Sequence, residues 1–505
     1  MLLSGLLLWS APSAWSRETP NSPDNAIVPA PTREFRGVWI ATVVNIDWPS
    51  QPGLTTEQQQ AQLRAMLDRA VELKLNAVIL QVRPAADALY ESKYEPWSES
   101  LTGQMGKAPE PYYDPLAFAV EEAHKRGLEL HAWFNPYRAY HPQAKSEIAA
   151  NHISKTHPEL VRQYGKYLWL DPGEKAVQDY SLAVIMDVVR RYDIDGVHLD
   201  DYFYPYKQRD AQNQSIDFPD EPSWQKYLQS GGKLSRNDWR RENINTLIER
   251  LYRAIKTEKS WVKLGISPFG IWRPGYPAQI KGFDAYSQIY ADARKWLANG
   301  WLDYFSPQLY WNIEFPDQSY PVLLNWWVEQ NTFGRHIWAG NYTGRLGNST
   351  SKGWPAEEIL YQIRVTRGQQ GATGNIHFSM KSLMQNRQGI SDFLAKDLYS
   401  RPALVPASPW LSNTPPGKPS LTIDKNPTSG VIQLNWKPTG TQKVWLWVIQ
   451  TRSGSEWTTK ILPVRQTSIL LNSNDSNVQV ESVAVSAVNR YQTQGPPAVV
   501  DISDK

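Results

Sequence analysis

Short apolar strands alternate with amphipathic helices about eight times between residues 33 and 400, and this order restricts the fold more than any other feature of the chain. We predict strands at 35–43, 76–82, 128–134, 194–200, 262–267, 302–308, 336–340 and 375–379. Helices are predicted at 56–73, 115–126, 176–192, 238–256, 286–299, 321–330 and 355–369. A repeated βα order predicts a parallel sheet, and the number of strands favours a closed (β/α)8 TIM-like barrel. An open doubly wound sheet is the alternative, but no glycine-rich dinucleotide loop follows the first strand.

The composition changes on both sides of the predicted barrel, residues 33–400. Residues 1–16 contain a short apolar run and end in small residues before Arg17, which predicts a signal peptide and an exported protein of the periplasm, cell envelope or extracellular space. Residues 17–32 and 401–417 are rich in proline and polar residues and are predicted to be linkers. Residues 418–505 show short alternating strands, which predict an all-β sandwich of the fibronectin type III kind.

Composition excludes several classes of function. The chain of 505 residues has no cysteine, so disulfides, thiolate metal sites and cysteine nucleophiles are excluded. Its net charge of +3 gives no basic surface for nucleic acid, and no apolar run is long enough to cross a membrane. Tryptophan and tyrosine, at 23 and 25 residues, far exceed the 12 phenylalanines. These rings either pack the core or line a groove for glycan.

The predicted fourth strand and the residues after it, 192–206, are the strongest functional signal. Val197 and Leu199 share one face of the strand, while His198 and Asp200 share the other. Chemistry in barrel enzymes takes place at the carboxyl ends of the strands, where Asp200 lies. A carboxylate there can attack an anomeric carbon or stabilise an oxocarbenium ion. We favour the adjacent Asp201 as the second acid, although a cap of the strand explains it about as well.

Polar residues end most of the other predicted strands. Those that we expect to converge on a polar ligand are Gln81, Arg83, His131, Trp133, Asn135, Ser267, Ser306, Gln308, Tyr310, His377 and Ser379. The alternative is that such a residue forms its hydrogen bonds inside the barrel and contacts no ligand. We favour this alternative for the histidines at 131 and 377. Tyr202 and the rings that follow it are predicted to contact sugar. Four other acids, Asp87, Glu91, Asp292 and Glu314, lie in or near candidate segments.

A metal site is the less favoured interpretation of the histidine and the two acids at 198–201. Their spacing does not match a strong metal signature. A metal-dependent polysaccharide deacetylase would need a further histidine, such as His131 or His377. We therefore predict neither a metal nor another cofactor.

Seven ordered blocks, at residues 33–49, 79–88, 132–138, 195–205, 265–273, 290–296 and 306–311, resemble the glycosyl hydrolase-like family 10 proteins of the bacterial cell envelope. The block Asp-Gly-Val-His-Leu-Asp-Asp at 195–201 is the most specific of them. The resemblance implies a barrel related to glycosidases. It also implies hydrolysis of peptidoglycan strands without peptides, between N-acetylmuramic acid and N-acetylglucosamine.

The resemblance also implies roles for individual residues. It makes Asp200 and Asp201 the catalytic pair. It places Arg83, Asp87, Asn135, His198, Gln308, Tyr310 and Asn341 around the sugar, to which the strand and loop positions add Trp133 and Tyr202. Asn312 departs from the family, because some relatives have glutamate there.

Three functions therefore compete. An exported glycoside hydrolase acting on peptidoglycan or a related N-acetylated glycan is the leading hypothesis. A glycan-binding protein without catalysis is the second, and a metal-dependent deacetylase is the third.

Overall fold

The computed structural model describes residues 16–18, 28–348, 352–425, 431–471 and 480–502. The chain divides into two compact units, one of residues Thr32–Leu411 and one that combines residues Met1–Pro31 with Ser412–Lys505. The predicted signal peptide lies outside the described residues except for Ser16. The first part of the predicted second linker packs in the larger unit, where Ala403, Leu404 and Val405 are buried.

Eight parallel strands close into a barrel in the larger unit, which confirms the predicted fold class. They are β1 (Phe35–Ile40), β2 (Ala77–Arg83), β3 (Glu129–Phe134), β4 (Gly196–Leu199), β5 (Lys263–Ile266), β6 (Tyr304–Phe305), β7 (His336–Asn341) and β8 (Ala372–His377). Each strand pairs with the next along the chain, and β8 pairs with β1. The carboxyl ends of all eight strands therefore meet on one face.

Seven helices cover the outside of the barrel. They are α1 (Thr56–Glu72), α2 (Pro115–Lys125), α3 (Lys175–Arg191), α4 (Arg236–Glu258), α5 (Ala293–Ala298), α6 (Tyr320–Glu329) and α7 (Ala356–Gly368). The prediction of one helix over 286–299 is wrong, because the chain forms Ala285–Gln288 and then α5. Tyr290 interrupts it with a left-handed φ of 55°, and the Asp292 side chain caps α5.

Loops at the carboxyl ends of the strands carry further structure. Arg138–Tyr140, Val161–Tyr164 and Tyr167–Leu170 form an antiparallel sheet between β3 and α3. The short α-helices are Glu99–Thr102, Ile153–Thr156, Glu221–Gln229, Ala285–Gln288, Met380–Met384 and Ile390–Phe393, with a π-turn at Leu394–Leu398. Single 3-10 turns lie at Val43–Asn45, Pro158–Leu160, Pro316–Gln318, Thr343–Arg345 and Arg387–Gly389.

A chain of hydrogen bonds runs through the barrel interior. The Trp39 indole donates to His198 Nε2 (3.0 Å), so the neutral His198 ring donates from Nδ1 to the Tyr304 hydroxyl (2.9 Å). Tyr304 then donates to His131 Nδ1 (2.8 Å), and His131 Nε2 donates to Glu129 (3.0 Å). Burial of the ring holds the pKa of His198 well below its ordinary value. The inward-facing histidine is therefore a neutral link in the core.

Glycines make room for these large interior groups. A Cβ on Gly265 of β5 would overlap the ring of Tyr304, and one on Gly196 of β4 would lie 2.6 Å from His131 Nδ1. Barrel interiors fill by layers of side chains from alternate strands, so a small residue must face each large one. Glycine is thus required in β5 by the neighbouring tyrosine.

Gly265→Ala is expected to destabilise the barrel by about 3 kcal/mol or more, because a buried ring must move in a packed interior. For a unit of this length, about 1 kcal/mol shifts the melting temperature by about 1.3 °C, so we expect a loss of about 4 °C in a thermal melt. Gly368→Ala in α7 is the matched control, since its Cβ would meet nothing within 4 Å. Equal melting of the two variants would contradict this account of the interior.

The smaller unit consists of two antiparallel sheets, as predicted for the C-terminal region. One sheet is ordered Ser16–Glu18, Ser420–Lys425, Ile432–Lys437 and Ser468–Leu471. The other is ordered Glu456–Pro463, Leu446–Ser453, Ser482–Val488 and Ala498–Asp501. Trp436 and Trp447 meet edge to face at 6.3 Å in its core. Across the described parts of both units, no helix is long and apolar enough to cross a membrane.

Candidate active site

Strand β4 places two adjacent carboxylates at its carboxyl end. Val197 and Leu199 pack in the apolar core, as the alternation along the strand predicts. Asp200 and Asp201 follow directly, with exposed fractions of 4% and 5%. Both acids therefore lie at the mouth of the barrel and are largely shielded from water.

Strand β3 and the residue after it hold the Asp200 carboxylate. The Trp133 indole donates to Oδ2 (3.0 Å), and the Asn135 amide donates to Oδ1 and Oδ2 (3.2 and 3.3 Å). The backbone N–H of Tyr202 also donates to Oδ1 (3.3 Å). Burial raises the pKa of Asp200 to about 6, with Arg138 and the hydrogen bonds opposing and the Asp201 charge adding to the rise. Donors thus surround a carboxylate that burial makes easy to protonate.

Asp201 has different partners. The Tyr206 hydroxyl donates to its Oδ2, and the Gln308 side chain also hydrogen-bonds to the carboxylate. Burial raises the pKa of Asp201, and these two partners oppose the rise. Like charges on neighbouring carboxyl groups disfavour ionisation of both. Burial therefore raises the pKa of both neighbouring acids, and the Asp201 charge adds to the rise at Asp200.

Both acids open into a cavity of about 500 Å³ above the barrel. Eight of its lining residues are aromatic: Trp39, Trp133, Tyr202, Tyr206, Phe269, Tyr310, Tyr342 and Phe378. Tyr310 and Tyr342 stack at 4.9 Å between ring centroids. Flat apolar walls with a few convergent polar groups are typical of a ligand site.

Arg138 is the cationic group of this cavity. It begins the loop sheet three residues after Asn135, whose side-chain oxygen accepts its backbone N–H (2.8 Å). Its guanidinium lies 4.3 Å from the ring centroid of Tyr202, and Nη1 donates to the Pro84 carbonyl (3.3 Å). Sequence reasoning did not select Arg138, although it falls inside the family block 132–138.

Six of the predicted site residues line the cavity: Asp200, Asp201, Trp133, Tyr202, Gln308 and Tyr310. Asn135 reaches it indirectly, through its hydrogen bonds to Asp200. Besides Arg138, the lining residues that the sequence analysis did not select include Trp39, His141 and Gln143. Gln81 and Ser267, predicted to converge on a ligand, also line the cavity, as does Tyr206, one of the rings predicted to contact sugar.

Four predicted site residues lie outside the lining of this cavity. Arg83 pairs with Glu95, with Nε 2.9 Å from both carboxylate oxygens. Asp87 lines a small neighbouring pocket, and burial raises its pKa to about 6. His198 belongs to the interior chain of hydrogen bonds. Asn341, at the end of β7, is fully buried and donates to Gln362 (2.8 Å).

The other acids considered from the sequence also lie elsewhere. Asp292 caps α5 and accepts the Trp272 indole N–H (3.2 Å). Glu91 accepts the Tyr112 hydroxyl (2.7 Å), and Glu314 is exposed. The carboxyl groups among the cavity's described lining residues are those of Asp200 and Asp201.

Fold and site together define a (β/α)8 barrel with paired carboxylates in an aromatic cavity at the carboxyl ends of its strands. The family model described as glycosyl hydrolase-like 10 matches residues 34–354. The chain belongs to this family, which confirms the resemblance seen in the seven blocks.

Two named relatives have closely similar sequences. The glycosyl hydrolase YngK of Bacillus subtilis (strain 168) is 40% identical over 470 residues, 90% of this chain and 91% of that protein. The glycosyl hydrolase DigH of Escherichia coli (strain K12) is 37% identical over 348 residues, 64% of this chain and 77% of that protein. Among solved structures, the PgaB (BpsB) glycoside hydrolase domain from Bordetella bronchiseptica has a TM-score of 0.49 at 13% identity, covering 72% of this chain and 98% of that one.

Proposed function

We propose that this protein is an exported glycoside hydrolase that cleaves glycosidic bonds in peptidoglycan-type, N-acetylated glycan strands. The observation that carries the proposal is the buried pair of carboxylates facing an aromatic cavity at the end of β4. Glycoside hydrolysis uses two carboxyl groups, and sugar rings stack on flat apolar walls. The names of the relatives agree with hydrolysis of a glycan.

The surroundings of the two acids suggest their roles. Asp200 accepts hydrogen bonds on both oxygens, which favours its ionised form as the group that stabilises positive charge at the anomeric carbon. Asp201, which accepts the Tyr206 hydroxyl and whose pKa is also raised, is then the neighbouring acid available to donate a proton to the departing glycosidic oxygen. Water then supplies a hydroxyl to the anomeric carbon, and its remaining proton returns to the acid pair.

The histidines that a metal-dependent deacetylase would need are engaged in hydrogen bonds. Both ring nitrogens of His198 and of His131 bond inside the barrel, and those of His377 bond to Thr343 and Tyr399. In the described part of the chain, no group of three or more His, Asp or Glu side chains is arranged to hold a metal ion. This donor set favours acid chemistry by the carboxylate pair.

Incubation with glycan strands tests the proposal directly. Peptidoglycan stripped of peptides by an amidase, intact peptidoglycan and N-acetylglucosamine oligomers are each mixed with the purified protein. We expect new reducing ends and shorter saccharides, detected by mass spectrometry, from the stripped strands. Binding of these strands without any new reducing end would instead identify a glycan-binding protein.

The rate of hydrolysis is expected to fall as the pH drops below about 6. The raised pKa of Asp200 means that its carboxylate form is fully populated only above that pH, so protonation removes the charge that stabilises the transition state. A fall of about fivefold in kcat/KM is expected from about pH 6 to pH 5, with the slope approaching about tenfold per pH unit below pH 5. A rate that rises over this range would show that the protonated form of Asp200 is the active one.

A further inference from the structure

Arg138 is a buried cation in the catalytic cavity whose charge acts on Asp200 and Asp201 without a close ion pair among the described residues. Its exposed fraction is 4%, yet no carboxylate oxygen of the described residues lies within 4.0 Å of its guanidinium nitrogens. Its Nε has no hydrogen-bond partner among the described residues, and its single side-chain bond is from Nη1 to Pro84. Most of its five N–H donors are therefore left to bind an anionic group of a ligand.

The guanidinium is held firmly in one orientation. Its Cζ lies 4.3 Å from the ring centroid of Tyr202 and 5.9 Å from that of Trp169. Its backbone is tied to Asn135, and Trp169 is itself anchored by a hydrogen bond to the Phe203 carbonyl (2.8 Å). An arginine fixed in this way presents donors in a planar fork that matches a carboxylate.

His141 adds a second donor from the same loop. It lines the cavity, and its Nδ1 accepts the backbone N–H of Gln143 (3.2 Å), so a neutral ring must carry its proton on Nε2. Burial and the nearby charge of Arg138 lower the pKa of His141 to about 4, which keeps the ring neutral at physiological pH. The lining of the cavity therefore includes a guanidinium and a neutral imidazole besides the two acids.

We propose that Arg138 and His141 form a carboxylate-binding subsite that selects glycan bearing a free acid group on the sugar. Resting on the proposed function, this assigns the free 3-O-lactyl carboxylate of N-acetylmuramic acid as the bound group. That carboxylate becomes an amide when a peptide is attached, so it loses its charge and gains bulk. The subsite thus explains, at the level of two residues, why strands without peptides would be the substrate.

The test compares two forms of the same peptide-free strands. In one the lactyl carboxylates are free, and in the other they are converted to methylamides by carbodiimide coupling. For the wild-type protein we expect kcat/KM to fall about ten- to a hundredfold on conversion, the range for a charge-assisted hydrogen bond. Arg138→Gln should lose this preference: beyond any loss that both substrates share through Asp200, its kcat/KM on free strands should fall by a further ten- to a hundredfold, to about the value on methylamide strands.

Lys166→Gln is the control for net charge, because it makes the same change at an exposed turn of the same loop sheet. An Arg138→Gln variant that loses equal activity on both substrates would overturn the proposal, since the arginine would then act on the acids or the fold. Equal activity of the wild-type protein on both substrates would overturn it as well.

Binding separates this proposal from the proposed hydrolysis. N-acetylmuramic acid and its methylamide have no bond to cleave, and their affinity for the wild-type protein can be followed by NMR titration. Tighter binding of the free acid, lost in Arg138→Gln, supports the subsite even if no strand is hydrolysed. Equal affinity for the two sugars contradicts it even if strands are cleaved.

Discussion

Asp200→Asn is expected to lower the rate of strand hydrolysis by about 10³-fold or more, while the protein remains folded. Asparagine has nearly the same shape but carries no charge, so it cannot stabilise an oxocarbenium-like transition state. Loss of a pre-organised charge at a reacting centre typically costs about 4 kcal/mol of transition-state stabilisation, which corresponds to this factor. The rate of reducing-end release from peptide-free strands measures the effect.

The contacts of Asp200 explain why the amide is a poor replacement. Trp133 and Asn135 both donate to the carboxylate, and an amide nitrogen at Oδ1 or Oδ2 would face another donor. The side chain therefore loses a hydrogen bond as well as its charge, without creating a cavity. Circular dichroism and a thermal melt establish that the fold is intact.

Asp87→Asn is the matched control. Asp87 is as deeply buried as Asp200, with 3% exposed, and burial raises its pKa to the same value of about 6. It lines the neighbouring pocket instead of the main cavity, so we expect its variant to keep activity within a few-fold of the wild-type protein. If Asp200→Asn keeps full activity, or if both variants lose equal activity, Asp200 is not the principal catalytic carboxylate.

Local sequence patterns were sufficient to predict the barrel and the strand end that carries the two candidate acids. A buried strand followed by a helix is visible in the apolar periodicity, and β4 to Asp201 is one uninterrupted stretch. Helix 286–299 could not be predicted correctly, because the left-handed Tyr290 is fixed by distant packing, including a hydrogen bond from Arg240 to its hydroxyl (2.6 Å). A tertiary contact of this kind leaves no local signal in the sequence.

The sequence did not predict how far below the mouth of the barrel each inward-facing side chain lies. The alternation along β4 correctly turns His198 inward, but it lies two residues, about 6.6 Å, below Asp200 and therefore inside the packed barrel. Arg83 lies at the end of β2, yet Glu95 from the following loop draws it into a buried ion pair. Whether a strand-end group faces the ligand or the core depends on loops that periodicity does not describe.

Glu95→Gln is expected to destabilise the barrel unit by about 3–5 kcal/mol, because it leaves the buried Arg83 charge without its partner. The side chains of this pair are 1% and 0% exposed, so water cannot replace the lost carboxylate. For a unit of this length the loss corresponds to a fall of about 4–6 °C in melting temperature. Differential scanning calorimetry measures the shift.

The double variant Arg83→Met with Glu95→Met shows whether the unpaired charge of Arg83 or the loss of packing and hydrogen bonds destabilises Glu95→Gln. Apolar groups of similar volume commonly replace a buried ion pair at little cost, so this variant should melt closer to the wild-type protein than Glu95→Gln does. If it melts lower, packing and hydrogen bonds outweigh the unpaired charge.

The same pair also supports the active site. Arg83 Nη1 donates to the backbone carbonyl of Asn135, whose side chain donates to Asp200. In Glu95→Gln the guanidinium loses the partner that orients it, so we expect a several-fold fall in kcat at temperatures where the variant is fully folded. The double variant lacks the donor to Asn135 and should show at least this loss of kcat despite its better stability. If the double variant is more stable than Glu95→Gln but no more active, Arg83 positions the Asp200 carboxylate through Asn135, although Arg83 itself lies outside the cavity.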